Sequence, residues 1–281
     1  MQGLFVGSSF AEADFQKVCE LLLARRGFDL SMYKDQCVKR RIASRVRARG
    51  FSEAAPYLAV LERDESEIDA LLAAISIHVS QFFRNPGVFA LLEKQVLPEL
   101  IKAAMQRNDR HLKLWSVGCA SGEEPYSLAL LLHELKPPGL KVSIVGTDIS
   151  RPILEQARDA CFDALRLHEV PDRVRDDYFI RDGCCYRPVE QIRSMVEFSE
   201  NNILNLENFP VADLILCRNV LIYLAREDQD RILKRFAGLL PPWGFLVLGS
   251  AENMLGESRG LFQMCFPAER IYQPAEPSRP G

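Results

Sequence analysis

No apolar run in the 281 residues approaches the ~20 needed to cross a bilayer, so no membrane-spanning helix is expected. The opening MQGLFVGSSF has no basic segment followed by an apolar stretch, which argues against a secretory leader and predicts a cytoplasmic chain. There is no C-x-x-C. Cys19, Cys37, Cys119, Cys161, Cys217 and Cys265 are isolated, and Cys184 and Cys185 are adjacent, a spacing unsuited to structural zinc. The same spacing argues against a disulfide framework, so the expectation is no metal and reduced thiols packed as small apolar groups. No internal repeat is visible. A formal net charge of −3 excludes a general polyanion binder, and with one basic stretch only it speaks against nucleic acid as a partner.

The residues present describe a folded protein. Apolar side chains at 48% and charged ones at 26% are the balance of a globular chain. The length allows a large domain and a small one. Residues 1–76 read as helices only. In FAEADFQKVCELLLARRG, Phe15, Val18, Leu21 and Leu22 recur at helical spacing until Gly27. YKDQCVKRRIASRVRARG is a second helix with a basic face. Between Lys34 and Arg49 it places Lys34, Lys39, Arg40, Arg41, Arg45, Arg47 and Arg49 against Asp35 alone. Ser52 can cap EAAPYLAVLER, and SEIDALLAAISI is a further helix.

From residue 77 to 273 the pattern changes. Asn85-Pro86 predicts a capped helix start, with Pro at the first helical position, for GVFALLEKQVLPELIKAAMQ. The strands LKLWSV, KVSIVGTD, ADLILC and FLVLGS then alternate with helices, which predicts an α/β fold with a mostly parallel sheet covered on both faces. FQMCFPAERIYQ predicts a closing hairpin. Residues 165–200 interrupt the alternation with short strand-like pieces around Asp182-Gly183 and read as a small antiparallel β-insertion. Residues 274–281, Pro-rich and polar, read as a disordered tail or linker.

Four places carry chemistry. After LKLWSV, Gly118 and Gly122 frame a small-residue turn that opens a helix at Glu123, where free N–H groups and close backbone approach favour a ligand. The spacing is G-x-x-x-G rather than G-x-G-x-x-G, and Glu123-Glu124 would stand against a pyrophosphate. A ligand bearing ammonium and sulfonium charge suits the turn better; alternatively the two acids only favour the helix dipole. Asp148 ends the second strand, where it can accept from both hydroxyls of a ribose or cap the next helix. Arg218, Asn219 and Tyr223 follow the strand ADLIL, at the edge where open α/β sheets bind ligands, although Asn219 and Tyr223 could equally serve turn and packing. His78, Ser80 and Arg84, around Phe82-Phe83, precede the sheet.

These pieces together resemble the CheR family of chemotaxis-receptor methyltransferases. The shared segments are KRRIASRVR, SQFFR, LWSVGCASGEEPYSLA, GTDIS, FSENNIL, LILCRNVLIYL, PPWGFLVLGSAEN and RIYQ. The resemblance implies a helical N-terminal domain, a class I S-adenosylmethionine (SAM) domain and an inserted antiparallel β-subdomain. It implies methyl transfer from SAM to receptor glutamates, giving methyl esters and S-adenosylhomocysteine (SAH). It implies cofactor contacts at His78, Ser80, Arg84, Gly118, Gly122, Glu123, Asp148, Asn202, Ile203, Arg218 and Asn219. His78 stands where the family usually has Asn, and Ser80 where it usually has Thr. Which of Glu123 and Glu124 meets the methionine ammonium stays open, the family pattern favouring the first. Arg84 and Tyr223 match residues that orient the acceptor carboxylate. Arg40, Arg41, Arg45 and Arg47 are expected to face the glutamate-bearing coiled coil of a chemoreceptor, with the enzyme acting as a monomer. The compact turn RDGCCYR points to recognition without a receptor C-terminal peptide. Three other classes compete: a methyltransferase of nucleic acid or small molecules, a non-catalytic cofactor sensor, against which Arg84, Tyr223 and Asp148 all stand, and a nicotinamide dehydrogenase, disfavoured by the missing third glycine and the paired glutamates.

Overall fold

A computed structural model describes residues 12–26, 30, 35–75, 80–254 and 256–275. They fall into two compact units, bounded Met1–His78 with Tyr223–Asp228, and Val79–Ile222 with Gln229–Gly281. No helix among the described residues is long and apolar enough to cross a membrane.

The first unit is helical: α1 (Glu12–Arg26), α2 (Asp35–Ala48), α3 (Ala54–Leu61) and α4 (Glu65–Ile75). Phe15, Val18 and Leu22 bury one face of α1, as their spacing dictates. The residue before α3 is Glu53, which makes no side-chain cap bond, so Ser52 is not its cap. The acid that organises the unit is Glu67 of α4, only 3% exposed. It accepts from Arg45 Nε at 2.8 Å, Arg45 Nη2 at 2.7 Å and Tyr57 Oη at 2.9 Å, and Arg49 lies at 3.1 Å. Burial pushes the Glu67 carboxyl up, but the bonds from Arg45 and Tyr57 outweigh it and hold it below its ordinary value.

The second unit opens with α5 (Pro86–Leu91), which runs through a π-turn at Leu92–Val96 into α6 (Leu97–Met105). Pro98 gives the turn its reason, since proline has no N–H to donate and its ring collides with the carbonyl four residues back. Asn85 does not cap α5: it sits at φ +62° and makes no cap bond. Next come β1 (His111–Val117), α7 (Glu123–Leu135), β2 (Lys141–Asp148), α8 (Arg151–Asp159), α9 (Asp172–Tyr178), β3 (Phe179–Asp182), β4 (Cys185–Pro188), α10 (Glu190–Arg193), β5 (Val196–Glu200), β6 (Leu214–Cys217), α11 (Arg226–Leu239), β7 (Phe245–Leu248), β8 (Phe262–Phe266) and β9 (Ile271–Pro274).

Seven strands form one sheet in the order β5-β2-β1-β6-β7-β9-β8, in which β9 pairs antiparallel with both β7 and β8 and the other pairings are parallel. All four residues of β6 and all four of β7 are buried, as a parallel sheet covered on both faces requires. Trp115 on β1 is buried edge-on to Phe209 and Phe236, and its indole N–H donates to Thr147 Oγ1 at 2.8 Å. The insertion forms a separate sheet, β3 against β4.

That insertion corrects the expectation that every thiol is reduced. Cys161 and Cys185 form a disulfide, with Cα atoms 5.6 Å apart. Phe162 and Tyr186 exchange backbone hydrogen bonds at 3.0 and 2.8 Å, which lays the neighbouring cysteines side by side. No linear spacing rule registers a pairing across 24 residues that is made by a β-bridge.

Candidate active site

The carboxyl ends of β1, β2 and β6 converge on one edge of the sheet, the place where open α/β folds receive ligands. The first wall is the turn between β1 and α7. Gly118 sits at φ +63°, and a Cβ there would lie 2.5 Å from Val220 Cγ2 on the turn after β6. Glycine at 118 therefore lets the two turns touch. Gly122, at φ +95°, starts α7.

Asp148 closes the second wall. It is 6% exposed; its Oδ2 accepts from Ala120 N and its Oδ1 from Ser150 N, both at 3.0 Å. The carboxylate is thus fixed between the glycine turn and the start of α8, with lone pairs left for further donors. Asn201 N donates to the Asp148 carbonyl at 3.0 Å, which brings Asn202 and Ile203 to the same edge. Asn202 Oδ1 accepts from Leu204 N at 3.0 Å.

Two glutamates begin α7, and each is met by an arginine. Glu123 is fully buried, with the Ser121 hydroxyl 2.8 and 2.9 Å from its two carboxylate oxygens. Arg166 Nη1 donates to Glu123 Oε1 at 3.0 Å and to the carbonyl of Ser80 at 2.5 Å. Burial pushes the Glu123 carboxyl above its ordinary range, partly opposed by bonds from Ser121, Ser80 and the charge of Arg166. Glu124 accepts from Ser116 Oγ at 2.8 Å and from Arg218 Nη1 at 3.0 Å. Arg218, 7% exposed, also donates through Nη2 to the Arg84 carbonyl at 2.8 Å and to Asn85 Oδ1 at 2.6 Å. The Asn85 side chain, expected as a helix cap, is committed to Arg218.

Phe82 and Phe83 anchor the approach to Arg84. The Phe82 ring stands 4.9 Å from Phe162 and 5.3 Å from Phe179, and Phe83 N donates to Ser127 Oγ at 2.9 Å. Ser80, Arg84, Gly118, Gly122, Glu123, Asp148, Asn202, Ile203, Arg218 and Asn219 all belong to the second unit. His78 lies outside the described residues.

Tyr223 belongs to the first unit, where the Arg41 guanidinium lies over its ring, 4.7 Å from the centroid. Arg41 also donates to the Ile75 carbonyl. Arg45 is held by Glu67, whereas Arg40 is exposed on α2.

Two polar side chains at this edge escape sequence reasoning. Arg166 lies in the irregular segment before the β-insertion, and no periodicity marks it. Glu252, 3% exposed, stands three residues beyond Gly249 and accepts backbone N–H bonds from both Gly249 and Asn219. An acid just past the strand FLVLGS, at the ligand-binding edge, was the available signal.

The donor set fits an adenosylated cation. Residues 118–125 carry no lysine or arginine for a phosphate; Glu124 is paired with Arg218, Glu123 is shared with Arg166, and Asp148 keeps lone pairs toward the edge. No group of His, Cys, Asp and Glu among the described residues could hold a metal ion.

Comparison with known proteins agrees. Residues 78–271 match the family described as CheR methyltransferase, SAM binding domain, and residues 13–76 match CheR methyltransferase, all-alpha domain. Chemotaxis protein methyltransferase 2 of Pseudomonas aeruginosa is 32% identical over 277 residues, covering 95% of this chain and 94% of that protein. The chemotaxis protein methyltransferase of Listeria innocua is 32% identical over 245 residues, covering 87% and 91% respectively. That of Salmonella typhimurium is 32% identical over 255 residues, covering 87% and 85%. With both family domains matched in order along the chain and relatives aligned over nearly their whole length, the protein belongs to the CheR methyltransferase family and is a SAM-dependent methyltransferase.

Proposed function

We propose that the enzyme methylates glutamate side chains on the cytoplasmic coiled coils of chemoreceptors, forming methyl esters and SAH. The observation that carries this reading is Asp148 at the end of β2, fixed by Ala120 N and Ser150 N beside the glycine turn that leads into Glu123. Asp148 takes the ribose hydroxyls, Glu123 the methionine ammonium, and Ser80, Arg84, Asn202, Ile203 and Asn219 complete the cofactor site. Bound SAM supplies a methyl group activated by its sulfonium charge.

The acceptor needs no general base, since a glutamate carboxyl with a pKa of ~4.3 is ionised at neutral pH. What the chain's residues contribute is placement and exclusion of water. Arg84 positions the acceptor carboxylate. A tight bidentate pair would dull the nucleophile, so Tyr223 makes the closer contact. This reading places the enzyme in the cytoplasm as a monomer, and the compact β3–β4 turn favours receptors recognised without a C-terminal peptide. Incubation with methyl-labelled SAM and receptor cytoplasmic fragments is expected to give base-labile incorporation. Base-stable label, or label in RNA and none in receptors, would reject the assignment.

The basic helix α2 steers the glutamate-rich partner. Arg40 and Arg47 are exposed on it, and Arg40→Glu is expected to lower the methylation rate several-fold at low ionic strength, the gap closing in about 0.5 M salt as screening takes over. Arg45→Glu behaves differently: it sets a carboxylate against buried Glu67 and shows as a lowered melting temperature. Equal rates for Arg40→Glu and wild type at low salt would remove α2 from receptor recognition.

A further inference from the structure

The Arg166 side chain reaches two residues of the cofactor site at once. Its Nη1 donates to Glu123 Oε1 at 3.0 Å and to the Ser80 carbonyl at 2.5 Å. The backbone repeats the second connection, since Phe82 N donates to the Arg166 carbonyl at 3.1 Å. Asp163 fixes the base of this arm: its Oδ1 and its carbonyl both accept from Arg166 N at 3.1 Å. One residue of an irregular segment thus joins Ser80, ahead of the sheet, to Glu123 at the head of α7. All of these residues lie in the second unit.

The two partners differ in their access to water. The Glu123 side chain is fully buried, whereas that of Arg166 is 35% exposed. Burial drives the Glu123 carboxyl toward its neutral form, a poor partner for an ammonium group, and the charge of Arg166 works against that drift. A carboxylate offers about four lone-pair positions, so the bonds from Ser121, Ser80 and Arg166 leave room for a further donor. Space is available as well. Ser121, Glu123 and Arg166 line an open cavity of about 670 Å³, together with Glu155, Asp159 and Asp163. Such a lining favours a positively charged group.

We propose that Arg166 is a positioning residue for the amino-acid end of SAM, holding the Glu123 carboxylate and the Ser80 backbone where that end is received. The proposal rests on the role given above to Glu123. Methionine at 166 keeps an unbranched stem and removes every donor, so the carboxylate loses its counter-charge and the Ser80 carbonyl its partner.

The test is titration calorimetry on the full chain with two nucleosides, with thermal midpoints in parallel. SAH carries the amino-acid end; 5′-methylthioadenosine keeps the adenosine and the thioether sulfur but lacks that end. Arg166→Met is expected to weaken SAH about 10- to 100-fold, the range set by hydrogen bonds to charged groups, and to leave methylthioadenosine within about 3-fold of wild type. Equal losses for the two nucleosides mark a general brace and overturn the proposal. An SAH affinity within about 3-fold of wild type overturns it too. Should the Met variant fail to fold, Arg166→Gln, which is neutral but polar, serves under the same criteria. Glu123→Gln in the same titrations reports on the underlying reading. If it binds SAH like wild type, Glu123 leaves the cofactor site and the proposal falls with it. If it loses SAH selectively while Arg166→Met does not, the role of Arg166 alone is rejected.

Discussion

Arg218→Met is expected to cost about 3–5 kcal/mol of unfolding free energy and to lower the thermal midpoint by roughly 10 °C. The side chain is 2% exposed and serves three acceptors: Glu124, the Arg84 carbonyl and Asn85 Oδ1. Its removal leaves Glu124, partly buried at the start of α7, without a counter-charge, and strands two further acceptors. The cost lies in those orphaned groups rather than in the pair itself, since taking both charges out of water already consumed most of their attraction. Arg218→Met with Glu124→Leu should therefore recover a large part of the loss. Calorimetric melting of the two variants decides the matter, and a single-variant midpoint within about 3 °C of wild type would show that Arg218 carries no such brace.

Asp148→Asn is expected to weaken SAH binding about 100-fold or more with a smaller effect on melting. Hydrogen bonds to a charged acceptor are worth about 1.5–3 kcal/mol each, and two ribose hydroxyls would share this carboxylate. The substitution also turns an NH₂ toward either Ala120 N or Ser150 N, each now 3.0 Å from an oxygen. The glycine turn would then lose its register with the end of β2. Titration calorimetry with SAH checks the outcome; an affinity within about 3-fold of wild type would remove Asp148 from the ribose site.

Both predictions concern residues visible in the sequence, and their surroundings differ in how far spacing reveals them. Asp148 ends an apolar strand, and strand-end geometry is local, so its place beside the glycine turn is readable from spacing alone. Arg218 follows the strand ADLIL in the same way, but its guanidinium reaches to Asn85, 133 residues away in the chain, and no pattern of local period encodes such a contact. The same limit applies to Arg45, whose charge reads as part of an open basic face until Glu67, 22 residues on, is brought against it. Cys161 and Cys185 look isolated until a β-bridge aligns them. The alternation of strands and helices, by contrast, follows from burial on both faces of a parallel sheet; β2, β6 and β7 lie within the segments it marked, and β1 begins one residue earlier. Even there, proline within LLEKQVLPEL announces an irregular helix without saying that the irregularity is a π-turn.

The strand order has a consequence for how the chain is made. β1 is bonded on one side to β2 and on the other to β6, so Leu114 finds its second partner in Leu214, one hundred residues later. At about 5–20 residues per second of synthesis, that flank of β1 waits roughly 5–20 s for its neighbour. Throughout the interval a nascent chain carries the open edge of an apolar strand, in the region that becomes the middle of the sheet. Pairings this distant in sequence form late and slowly. The vulnerable species on the ribosome is therefore the half-sheet of β1 and β2, and it is there that a chaperone would find most to shield.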